Sequence, residues 1–197
     1  GDHRDLPSFP TRRSSDLLQQ DYRDLAGQFD RLVSIEMIEA VGHRHLPVYF
    51  RACSDRLKPD GAALIQAITM PDHHYRRYLK APDFINRYIF PGSCCPSLHA
   101  ISEAVARDTD LRLTHLEDIS PHYARTLREW RKAFHANLEQ VRGMGFDERF
   151  IRMWEFYLCY CEGGFAERFT GNLQLLFTKP LYRGEPLPSP LTRNAHP

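Results

Sequence analysis

Apolar positions along this chain follow two different spacings. Phe29 to Ile35 (FDRLVSI) is a short β-rich run, and Ala62 to Thr69 (AALIQAIT), entered through the turn Lys58-Pro59-Asp60-Gly61, is another. Between them, His45 to Leu57 sets Leu46, Tyr49, Phe50, Cys53 and Leu57 on one face at helical spacing. Leu111 to Ile119 and Asn172 to Thr178 read as later strands. After the first of these, Tyr123, Leu127, Trp130, Phe134, Leu138 and Val141 step by three and four, which predicts one long helix. Phe146, Phe150, Met153, Trp154, Tyr157, Leu158 and Cys161 predict a second. Gly143 and Gly145 punctuate the join, and Gly163-Gly164 is expected to end the second helix. Strands and helices in this alternation define an α/β layer fold.

The two ends break the pattern. Gly1 to Leu17 has no apolar periodicity and is expected to be a non-native or disordered segment, its FPTRRSSDL run resembling a translated sequencing adapter. Leu181 to Pro197 holds four prolines and few apolar residues, and reads as a mobile tail. Residues 18–180 are left as one domain.

Composition narrows the function classes. Among 197 residues, 26 Lys and Arg balance 25 Asp and Glu, so no global field argues for nucleic acid or for pinning on an anionic surface. No stretch reaches the roughly 18 apolar residues of a spanning helix, and no signal-peptide core is visible, so a cytoplasmic protein is expected. Five cysteines, at 53, 94, 95, 159 and 161, have neither zinc-ligand spacing nor a disulfide pattern, and fit free thiols. His43 with His45 suggests a solvated helix start rather than a metal pair, and no metal is expected.

The candidate chemistry begins where the first strand ends. Phe29 to Ile35 runs into Glu36-Met37-Ile38-Glu39-Ala40-Val41-Gly42, and ligands in open α/β sheets sit beyond the carboxyl ends of strands. Glu39 is the candidate, although such a junction also recruits acids as simple caps or dipole partners.

The runs QDYRDLAGQFDRLVSIEMIEAVG (Gln20 to Gly42), LKPDGAALIQAIT (Leu57 to Thr69), DFINRYIFPGSCCPSL (Asp83 to Leu98), HYARTLREWRKAF (His122 to Phe134) and GFDERFIRMWEFYLCYCEGGF (Gly145 to Phe165) resemble the cyclopropane-fatty-acyl-phospholipid synthases, block by block and in order. The resemblance implies the C-terminal portion of a Rossmann-like class I methyltransferase sheet flanked by helices, its first strands and glycine-rich cofactor loop lying upstream of what is present. It implies methyl transfer from S-adenosylmethionine to the cis double bond of an unsaturated phospholipid acyl chain, with a bound bicarbonate as base. The bicarbonate holders fall on Glu39, on Gln66 and the backbone of Ile68, and on Tyr123; the family's upstream Cys has no counterpart here. Many members carry His where this chain has Gln66, which cannot titrate near neutral pH, so the product is left between a cyclopropane and a methyl branch.

By the same resemblance, Gln20, Asp21 and Tyr22 approach the adenine of the cofactor, although QDYR alone equally suits a solvated loop. Cys161, in YCEGGF, matches a Cys often marked as active; its place on the apolar helix face favours packing over catalysis. The cluster His73 to Tyr78 is either an ordinary polar face or a head-group contact, which the family's substrate slightly favours. Peripheral association with the inner face of the membrane follows, and a homodimer is left open. The rival functions are methyl transfer to a small amine, and an inert fragment or lipid-binding remnant.

Overall fold

The computed structural model describes residues 16–185, and within them four strands form one mixed sheet. They are β1 (Phe29–Ile35), β2 (Leu57–Thr69), β3 (Arg112–Asp118) and β4 (Gly171–Thr178), in the order β1-β2-β4-β3. β1 and β2 are parallel, with Ile35 opposite Gln66, whereas β4 runs antiparallel to both its neighbours. All four expected strands are present, β2 extending five residues further back than its apolar run, to Leu57.

Side chains alternate across a strand, so β2 and β4 each serve two faces. Ala63, Ile65 and Ala67 join Leu175 and Phe177 in a sealed core beneath α2 (Leu46–Asp55) and α4 (Leu98–Asp108). Tyr49, Phe50 and Cys53 bury the apolar face foreseen for α2. The alanine-rich α4 carries only Ile101 and Val105 as large inward groups and starts at Ser97, whose Oγ accepts from the Ala100 N–H.

The opposite face meets α5 (Ser120–Ala136) and α7 (Glu148–Ala166), which pack on each other through Ala124, Leu127, Leu158 and Phe165. Two expectations about these helices need correction. The first does not run unbroken to Val141: it stops at Asn137, whose φ of −115° and ψ of 20° leave the helical region, and a separate α6 (Leu138–Gly143) follows. The second does not end at Gly163-Gly164, because it continues to Ala166 and the Gly163 and Gly164 carbonyls accept the closing N–H groups of Glu167 and Phe169. Gly145, at φ +91°, supplies the left-handed turn at the join, as its sequence position suggested.

Five short elements complete the described residues: α1 (Ile38–Val41), α3 (Asp72–Tyr78), 3-10 turns at Tyr22–Asp24 and His43–His45, and a π-helical turn at Ile85–Ile89. Of the expected tail, Leu181 donates its N–H to the Pro59 carbonyl and Tyr182 receives the Arg31 guanidinium over its ring, so its first residues rest on the sheet. Most of the Gly1 to Leu17 segment, and the tail beyond residue 185, lie outside the described residues.

Candidate active site

The strand-to-helix junction after β1 creates the site. Glu36 adopts φ +52°, the left-handed region that a side chain disfavours, while its N–H donates to the Gln66 carbonyl at 2.9 Å. That turn lifts the chain out of the sheet and starts α1, bringing Glu36 and Glu39 together at the carboxyl end of the sheet.

Glu39 is 9% exposed. Its Oε1 accepts from the Ile68 N–H at 2.5 Å, and its Oε2 is buried without a hydrogen-bond partner among the described residues. Burial pushes the Glu39 carboxyl up to about 7; the Ile68 N–H works against that rise and the Glu36 charge adds to it. Glu39 therefore approaches half-protonation at neutral pH, unlike an ordinary surface acid.

Gln66 and Tyr123 converge on Glu36, not on Glu39. Glu36 Oε1 accepts from Gln66 Nε2 at 2.9 Å and from Asn172 Nδ2 at 2.7 Å, and Oε2 accepts from the Tyr123 hydroxyl at 2.7 Å. Gln174 Nε2 donates to Gln66 Oε1 at 2.8 Å across the β2–β4 pair. Burial, and donation to the Glu36 carboxylate, hold the Tyr123 phenol well above its ordinary value, so it stays a donor.

These groups sit at a cavity of about 840 Å³. Glu36, Glu39, Ile68, Tyr123 and Cys161 line it; Gln66 does not, and reaches it only through Glu36. The rest of the wall is largely apolar and includes the rings of Phe90, Trp130, Tyr157, Tyr160, Phe165 and Phe169, and Gly163 and Gly164 leave one side free of side chains. Burial pushes the Cys161 thiol up to about 12, which removes the thiolate a nucleophile needs at neutral pH and supports its reading as a packing residue.

Sequence reading passed over Glu36, Asn172, Gln174 and Cys95. The signal for Glu36 was present, as an acid directly at the end of β1. Asn172 and Gln174 are alternate residues of β4 on the face shared with Gln66, which becomes meaningful only once β4 is known to pair with β2. Cys95 lines the cavity, and burial pushes its thiol up to about 12, with the Glu39 charge adding to the rise.

The residues expected near the cofactor separate. Tyr22 borders a second depression of about 290 Å³ along β1 and α2, with Leu25, Ser34, Met37 and Tyr49. Asp21 lies outside it, its carboxylate held by Arg23 at 2.7 and 2.9 Å and capping a single 3-10 turn. Gln20 is exposed and lines neither cavity. In the His73 to Tyr78 cluster, Tyr75 is buried and Tyr78 half-buried, while His73, Arg76 and Arg77 face outward. His43 and His45 are exposed in a 3-10 turn that leads into α2, as expected of a solvated helix start, and His43 Nδ1 lies 2.9 Å from the Tyr75 hydroxyl. Among the described residues no group of His, Cys, Asp and Glu could hold a metal ion, and no helix is long and apolar enough to cross a membrane.

Solved structures share this arrangement of strands and helices. Coclaurine N-methyltransferase bound to N-methylheliamine and SAH superposes with a TM-score of 0.64 at 20% identity, over 83% of this chain and 53% of that one. The fold is that of a class I S-adenosylmethionine-dependent methyltransferase. The sequence profile of the mycolic acid cyclopropane synthetase family matches residues 3–175, and the chain belongs to that family.

The chain is similar to the tuberculostearic acid methyltransferase UfaA1 of Mycobacterium tuberculosis, 48% identical over 145 residues, 74% of this chain and 34% of that protein. It is also similar to the cyclopropane-fatty-acyl-phospholipid synthase of Escherichia coli, 33% identical over 168 residues, 85% of this chain and 42% of that protein. The structure of the cyclopropane synthase MmaA2 from Mycobacterium tuberculosis matches with a TM-score of 0.77 at 27% identity, over 87% of this chain and 63% of that one. The mycolic acid cyclopropane synthase CmaA1, solved with SAH and CTAB, matches with the same score and coverage. The chain thus spans about a third to two fifths of the length of these curated relatives.

Proposed function

We propose that this chain forms the acceptor half of an enzyme that methylates the cis double bond of an unsaturated phospholipid acyl chain. One observation carries the reading: two acids, Glu36 and Glu39, stand at a mainly apolar cavity, rich in aromatic rings, whose volume suits a length of hydrocarbon. When bound, S-adenosylmethionine supplies a sulfonium methyl that an alkene can attack, leaving a cation on the lipid. The apolar depression beside Tyr22, walled by Met37 and Tyr49, suits the flat base of that cofactor. Gln20 and Asp21 would have to turn toward it to contribute.

The chain's own residues then have two tasks. The faces of Trp130, Tyr157 and Phe165 offer π-density to a cation formed in the cavity, and their bulk excludes water that would quench it. A base must also remove a proton. A bicarbonate held by Gln66, Tyr123 and the Ile68 N–H does not fit the donor set as it stands, because the carboxylates of Glu36 and Glu39 already occupy all three. No step is routed through it. Outside the cavity, the outward face of α3 with Arg76 and Arg77, near the half-exposed Phe169, suits a peripheral contact with phospholipid at the inner face of the membrane.

The product divides this reading in two. A proton lost from the transferred methyl closes a cyclopropane, whereas one lost from a neighbouring chain carbon leaves a methyl-branched alkene. The non-titrating Gln66 and the 48% identity to a tuberculostearic acid methyltransferase favour the branched outcome. Incubating the full-length protein that contains this chain with methyl-labelled S-adenosylmethionine and vesicles of dioleoyl phosphatidylglycerol tests the reading. Label is expected in the acyl chains, absent with saturated vesicles, and mass spectrometry of the released fatty acid assigns the branch. Label that enters only soluble amines would overturn it.

A further inference from the structure

We propose that the carboxylate of Glu36 is itself the base that receives the proton after methyl transfer, in the place where a bound bicarbonate would otherwise act. This rests on the lipid methyl-transfer reading above. Three donors from three separate elements close on one carboxylate: Gln66 from β2, Asn172 from β4 and Tyr123 from α5. Two of them are held from behind. The Gln66 amide oxygen accepts from Gln174, which turns its NH2 toward Glu36. Asn172 is fully buried and its backbone N–H donates to Ser120 Oγ at 2.9 Å.

The arrangement consists of donors only, and a carboxylate accepts only, so the two are complementary without a further ion. Backbone geometry points the same way. A side chain held at φ +52° costs about 1–3 kcal/mol and persists only where its surroundings over-determine it. Here the surroundings are the three donors themselves. Glycine would occupy that position freely, so the strain is tolerated for the sake of the carboxylate.

The network also answers the hazard of placing a carboxylate beside a carbocation. Of its roughly four lone-pair positions three are engaged, which blunts its attack on carbon while leaving one on Oε2 to accept a proton. In the step itself the alkene forms a C–C bond to the methyl as the C–S bond breaks, and S-adenosylhomocysteine leaves. A C–H bond then breaks: the proton goes to Glu36, and its electron pair closes the ring or forms the new double bond. Glu36 finally returns the proton to solvent.

The Glu36→Gly variant tests this with little risk to folding, because glycine relieves the positive φ. Methyl transfer to unsaturated vesicles is measured in degassed, bicarbonate-free buffer and again with bicarbonate added. The wild type is expected to turn over equally in both, while Glu36→Gly falls about a hundredfold or more without bicarbonate and recovers when it is supplied. A carbon-13 NMR titration with labelled bicarbonate, independent of turnover, is expected to detect binding to Glu36→Gly and none to the wild type. A wild type that methylates lipid only with bicarbonate, or that binds it in the titration, overturns the proposal and leaves the lipid reading standing. A wild type that methylates no lipid at either bicarbonate level removes both.

Discussion

On the face of the sheet beneath α2 and α4, Ala63, Ile65, Ala67, Leu175 and Phe177 meet Tyr49, Phe50 and Ile101, and none of these is more than 1% exposed. On the other face the same two strands present Gln66, Ile68, Asn172 and Gln174, and the helices opposite stand back to leave the cavity. The first face is filled with side chains that make no demands beyond shape. The second carries a left-handed glutamate, a buried carboxyl pushed up to about 7 and two buried oxygens without partners, on Glu39 and Asn172. Each of these costs stability, and proteins keep such features mainly where chemistry needs them. One face therefore holds the fold, and the other is the one proposed to hold the reaction.

The division implies that truncations read out differently on the two faces, in stability on one and in activity on the other. Phe50→Ala, on the sealed face, is expected to cost about 3–5 kcal/mol, because the void is walled by Tyr49 and Phe177 and cannot collapse. Cys161→Ala, beside the cavity, is expected to cost about 1 kcal/mol and to leave methyl transfer largely intact. Urea unfolding with a parallel activity assay measures both. A folded but inactive Cys161→Ala protein would return the thiol to the reaction and blur the contrast.

Glu39→Gln sharpens the same point through pH. The native state favours the protonated acid, so its stabilising contribution is complete below about pH 4.5, declines between about 4.5 and 7, and is gone above. Glutamine abolishes that decline and can still accept from the Ile68 N–H. Above pH 7 the variant should be more stable than the wild type by on the order of 3 kcal/mol, with the advantage vanishing toward pH 4.5. Urea titrations across this range check it, and equal pH dependence in both proteins would mean that Glu39 is not the strained acid described.

The sealed face was legible in the sequence. The strand runs and the α2 stripe Leu46, Tyr49, Phe50 and Cys53 declared themselves through periodicity, because burial on one side imposes it. α4 escaped, since its alanines give a faint stripe, and Leu57, read as the end of the α2 stripe, with the expected turn Lys58 to Gly61 belongs to β2 instead. The cavity face was legible in part: α5 and α7 through periodicity, Glu39 through its place just after β1, and Gln66, Ile68 and Tyr123 as site residues only through resemblance. Glu39, Ile68 and Tyr123 do come together, yet the partner of Tyr123 and Gln66 is Glu36, and that pairing depends on a backbone turn no periodicity reports. Gly163-Gly164 misled for a related reason: glycine near a helix end usually stops it, but here the pair lies inside α7 where the cavity wall is free of side chains.

In the proposed function the cavity face performs chemistry on an acceptor separate from the depression beside Tyr22. Tyr123→Phe tests it most directly, because the change deletes one hydroxyl in the Glu36 network and nothing that borders Tyr22. With cofactor affinity from calorimetry and turnover on unsaturated vesicles measured on one preparation, turnover should fall about tenfold or more, the scale of a lost hydrogen bond to a charged group, while cofactor affinity stays at the wild-type value. Wild-type turnover in Tyr123→Phe, or a loss of cofactor affinity as large as the loss of turnover, would contradict the account.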